Sequence, residues 1–124
     1  MKKKSLFLTF CVLFLAVCLL CTSCGKLSFE EACKELRDRI DKTGKFNCTY
    51  ETTKVNLSQA FVVTERASGD MISPEAIAAN VAKAFISYFT DDCEELFGEI
   101  EDCCVVYRVI LNGKTYYNKI VWSN

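Results

Sequence analysis

Apolar and polar positions follow two rhythms along this chain, and the changes of rhythm mark its elements. In LSFEEACKELRDRIDKTGK, Phe29, Ala32, Cys33, Leu36 and Ile40 recur at three- and four-residue spacing, which gathers them on one face of a helix. Ser28 with Glu31 at the third position after it forms a capping box for the start, and Gly44 stands where the chain would leave the helix. FNCTYETTKV switches to period two. Phe46, Cys48 and Tyr50 alternate with Asn47, Thr49 and Glu51, which predicts a half-buried strand. AFVVTER predicts a second strand, with Asn56 to Ser58 as the turn between them. ISPEAIAANVAKAFISYF returns to helical spacing through Ile77, Val81, Ala84, Phe85 and Tyr88. Ser73 is its expected N-cap, Pro74 suits the first helical position, and Ile72 could staple onto Ile77. Thr90 to Asp92 is expected to break this helix, leaving CEELF as one further turn before Gly98. The last segment, CVVYRVILNGKTYYNKIVW, is two β-rich runs around Asn112-Gly113, a strong hairpin signal. A two-residue turn would pair Leu111 with Lys114, Val109 with Tyr116, Val105 with Ile120 and Cys103 with Trp122 on one apolar face. Arg108, Thr115, Tyr117 and Lys119 would then fall on a wetter opposite face.

The element order α-β-β-α-β-β predicts an α+β domain: an antiparallel sheet of about four strands with helices on one face. This plan, run once over residues 28–66 and again over 73–122, resembles small exported modules of the PepSY and β-lactamase-inhibitor-protein type. That likeness is one of fold alone and carries no residue across.

The first 23 residues have a different pattern. Lys2, Lys3 and Lys4 precede an almost unbroken apolar run from Leu6 to Cys21, and Thr22 and Ser23 follow it. Charge, apolar core and small residues in that order make a secretory leader. The run of 16 residues falls short of the roughly 20 that span a bilayer as a helix. Its end, LLCTSC with Gly25 next, resembles a bacterial lipoprotein signal, in which a cysteine after small residues is acylated and becomes residue one. Cys24 fits that role, and the resemblance implies export and a membrane lipid anchor, the palmitate-bearing lipidated cysteine of an envelope lipoprotein. The expected division is a signal peptide over 1–23, a lipidated Cys24 and short tether over 24–27, and one domain over 28–124. Ordinary cleavage near Ser23 would instead leave a soluble secreted protein.

Loss of the leader removes three of the 15 basic residues and leaves 12 against 16 acidic ones. With no basic stripe, nucleic acid is not an expected partner. The nine cysteines divide by the same cut. A lipidated Cys24 leaves Cys33, Cys48, Cys93, Cys103 and Cys104, an odd number that cannot all pair. An unmodified Cys24 makes six. In an oxidising compartment Cys33 would pair with Cys48, and Cys93 with Cys103 or Cys104; left reduced, Cys33, Cys48 and Cys103 serve as small apolar core residues.

Metal binding and catalysis have little to build on. The chain has no histidine, which removes the commonest general base and every Ser-His or Cys-His arrangement. The domain over 28–124 has no C-x-x-C pair, and Cys103 and Cys104 must point to opposite sheet faces. DDCEELFGEIEDCC carries seven carboxylates between positions 91 and 102 and no base, without the spacing of a calcium loop. No cofactor and no enzymatic activity is expected. The expected function is that of a membrane-anchored binding module for an unknown protein or small ligand. Its contact surface would be the open sheet face bearing Arg108, Tyr117 and Lys119. The alternative is a secreted thiol, disulfide or metal-binding protein using its cysteines.

Overall fold

The structure, a computed structural model, describes residues 27–124. It contains α1 (Phe29–Thr43), β1 (Cys48–Val55), β2 (Ser58–Ala67), α2 (Pro74–Phe97), β3 (Cys103–Leu111) and β4 (Lys114–Ser123). The four strands form one mixed, mostly antiparallel sheet in the order β1-β2-β3-β4, and the fold is α+β.

Local chemistry sets each element. The Ser28 hydroxyl accepts from the Glu31 amide at 3.1 Å, and Glu31 Oε1 accepts from the Ser28 amide at 3.2 Å, so the capping box closes α1 from both sides. Gly44, at φ 65°, ends it in the left-handed region that glycine enters without strain. Asn112 and Gly113, at φ 52° and 79°, form the β3–β4 turn.

Several expectations need correction. The central pair, β2 with β3, is parallel. A helix lies between these two strands and carries the chain back to the end where β2 began, which is the connection that parallel strands require. α2 runs unbroken to Phe97, because Phe85, Phe89, Cys93 and Phe97 continue its apolar stripe through the suspected break. Ser73 makes no side-chain cap and sits at φ 54°, and Ile72 is 92% exposed rather than stapled. The Asn56-Leu57 turn is one residue shorter than expected, with Ser58 already in β2. The hairpin register starts as expected at Leu111–Lys114 but slips at two irregularities, so that Val109 faces Tyr117, Val106 faces Ile120 and Val105 faces Trp122. A one-residue slip exchanges the faces of a strand.

Both helices pack on one face of the sheet. Leu36, Ile40, Phe85, Phe89 and Phe97 meet Phe61, Val63, Val105, Tyr107 and Val109 there in one core. Phe85 stacks on Tyr107 with ring centroids 4.0 Å apart, and Phe29 meets Phe97 edge-on at 5.9 Å, joining the start of α1 to the end of α2. Arg39 fastens the helices from outside. Its guanidinium donates to Asp92 at 2.6 Å and to Glu95 at 2.9 Å, both on α2, and to Glu35 at 3.3 Å on its own helix. On the other face Ala60, Val62, Cys104 and Val106 form a second, smaller cluster with Val55.

Candidate functional site

The five described cysteines are free thiols, and neither expected disulfide is formed. Cys33 on α1 and Cys103 on β3 share the main core, while Cys104 lies across the sheet in the second cluster. Cys33, Cys93, Cys103 and Cys104 are all no more than 6% exposed. Burial pushes the Cys33 thiol up to about 12, with the neighbouring Cys103 and Glu30 acting in the same direction. Burial likewise pushes Cys93 up to about 12, and it raises Cys103 and Cys104. Cys48 is raised by burial and then by Glu65, whose carboxylate accepts from its thiol at 3.0 Å. Thiolate is the reactive and metal-binding form, so these shifts disfavour reaction of the thiols in the folded chain. Among the described residues no three Cys, Asp or Glu side chains come together as ligands for a metal ion. Cys24 lies outside the described residues.

Three carboxylates of the acidic run have partners inside the fold. Asp92 and Glu95 hold Arg39, and Glu94 accepts from the Trp122 indole at 3.0 Å. Arg39 holds Glu95 below the usual carboxylate range by hydrogen bond and charge. The run thereby joins α2 to α1 and β4, a structural use its sequence spacing does not announce.

The three residues expected to share a contact face are separated. Arg108 lies on the face away from the helices, where its guanidinium reaches Glu51 of β1 at 3.5 Å. Register places Glu51 beside Val62 and Arg108 beside Thr64, so this ion pair passes over β2. Thr64 below it is 3% exposed. Tyr117 belongs to the other face: its ring lies 6.2 Å from Tyr107 and packs on the main core. The Lys119 ammonium lies 5.6 Å from the Tyr117 ring and goes with it. The slipped hairpin register is the cause.

Two surface features were not expected from sequence. Beyond the Arg108–Glu51 pair, the outer sheet face carries Val55 and Ile120, the latter 51% exposed. Between α1 and β1 lies a cleft of about 360 Å³, floored by Tyr50 and Phe61 and rimmed by Glu30, Lys34, Arg37 and Glu51. β1 is an edge strand, so this cleft runs along an unpaired strand edge. Strand alternation gives Val55 and Val62 a common face, but the cleft depends on where α1 lands, which periodicity does not encode.

Comparison with protein-family models, with characterised proteins and with solved structures found no match for this chain.

Proposed function

We propose that the chain is an exported lipoprotein of a bacterial envelope, anchored through Cys24, whose domain is a non-enzymatic interaction module. The leader pattern and lipobox-like LLCTSC support the anchor. Acylation of one cysteine by two chains meets the requirement for stable anchoring. The observation that carries the interaction role is the asymmetry of the sheet. Both helices cover one face, and the other presents Ile120 and Val55 beside the Arg108–Glu51 pair with no described helix over them. An apolar strip with a polar frame is the usual composition of a protein contact surface. The burial and raised pKa of the thiols weigh against the thiol and metal reading.

The test has two parts. Alkyne-palmitate labelling in a lipoprotein-processing host should mark the wild type and not Cys24→Ser. A photo-reactive residue in place of Ile120 should give a discrete protein adduct in the native host, while the same residue in place of Lys83, exposed on α2, should not. Equal adducts from both positions, or none from either, would remove the sheet face from the reading.

A further inference from the structure

The chain contains two turns of the same geometry built from different residues. The β3–β4 turn is Asn112-Gly113 at φ 52° and 79°. The β1–β2 turn is Asn56-Leu57 at φ 50° and 72°. Glycine takes that second position at no steric cost, whereas leucine is strained there. Leu57 is also 94% exposed, so the strained side chain contributes no packing to the fold.

The two turns lie at opposite ends of the domain. Leu57 is at the end where the described chain begins. Gln59, two residues on, donates its amide to Asp102 O at 2.9 Å. Asp102 closes the loop after α2 whose Gly98 and Ile100 share a cleft with Leu27. Leu27 is three residues from Cys24, a reach of at most about 11 Å. The Asn-Gly turn and the exposed Ile72 lie at the far end, where the Asn112 side chain exchanges hydrogen bonds with Gly69.

We propose that Leu57 is a second, non-covalent membrane contact: the tip of the β1–β2 hairpin inserts its leucine into the lipid interface beside the anchor. This rests on the reading of Cys24 as the lipidated residue. A lone leucine binds a bilayer weakly, but a tether of three residues holds it there at high effective concentration. It would dock the domain on one corner. Glu99, Glu101 and Asp102 in the neighbouring loop make that contact favour zwitterionic over anionic lipid.

The test couples the chain beginning at Cys24 to a maleimide phospholipid in phosphatidylcholine vesicles, with four thiols buried and the half-buried Cys48 held as a thiol by Glu65, so that Cys24 reacts first. Hydrogen exchange of the unmodified chain should slow several-fold at residues 54–59 on vesicle coupling and not at 68–73. Leu57→Gly should abolish the slowing and raise the melting temperature. In a Trp122→Phe background, Leu57→Trp should be quenched by brominated lipid and Ile72→Trp should not. Addition of anionic lipid should lessen both signals. No slowing at 54–59, or equal slowing and quenching at both ends, would overturn the proposal. Because the chemical anchor replaces the natural one, failure of palmitate labelling with these signals intact would reject the Cys24 reading alone.

Discussion

Tyr107 shows how little of a residue's energetic role is visible in a strand pattern. It is fully buried, stacked on Phe85, and its hydroxyl has no hydrogen-bond partner among the described residues. Burial raises its pKa, and the neighbouring Glu65 adds to the effect, so the phenol stays neutral and pays desolvation without return. An unsatisfied buried hydroxyl costs about 1–3 kcal/mol. Tyr107→Phe should therefore leave the stacking intact and stabilise the domain by about 1 kcal/mol in urea unfolding. A loss of stability would mean the hydroxyl has a partner in solution. Phe85→Ala, by contrast, removes a ring from the same stack and should cost about 3–5 kcal/mol. Alternation predicted that Val105 and Val109 face the core, and they do. It could not place Tyr117 correctly, because the irregularity between Val109 and Ile110 in the β3–β4 pairing exchanges the faces of β4 there and no residue type at that position signals it.

At the scale of elements, what was legible depended on whether the signal was local. The Ser28–Glu31 box, Gly44 and Asn112-Gly113 act within four residues, and each was read correctly from its spelling. Ser28→Ala should lower stability by about 1 kcal/mol, a typical cost of losing an N-cap. The parallel β2–β3 pair has its cause in the sequence, a helix between the two strands, but a division into two α-β-β units hides that connection. The Arg39 clamp was not legible, since it depends on α1 and α2 lying side by side. Its pH dependence follows from its sign. Arg39 lowers the Glu95 pKa from 4.5, so the stabilisation is present above that pH and is lost as acid protonates the folded carboxylate. Arg39→Ala should have a lower urea midpoint than wild type at pH 7. The two midpoints should converge as the pH falls below 4.5. A gap that persists at pH 3 would assign the effect to packing of the Arg39 stem rather than to charge.

For the whole molecule, the count of free thiols and the proposed anchor at Cys24 are one question. The fold buries four of the five described thiols and half-buries Cys48 against Glu65, without a bond between any two of them. Nothing in the domain calls for a sixth. Cys24 lies outside the described residues, and in the proposed mature chain it is the one thiol beyond those five. Transfer of a diacylglyceryl group would occupy its sulfur as a thioether and leave an odd set of five, four protected by burial and Cys48 half-buried against Glu65, none by pairing. Protein purified from membranes of a lipoprotein-processing host should thus show no promptly reactive thiol with a disulfide reagent when folded, and five per chain in denaturant. Six in denaturant, with one reacting at once in the folded protein, would mean an unmodified Cys24 and a domain released from the membrane. Fewer than five without reductant would show that the envelope oxidises what the fold buries. Burial and desolvation keep Cys33 and Cys93 as thiols, so their oxidation is expected to follow opening of the domain. It should then speed up in proportion to the unfolded fraction when Phe85→Ala weakens the core.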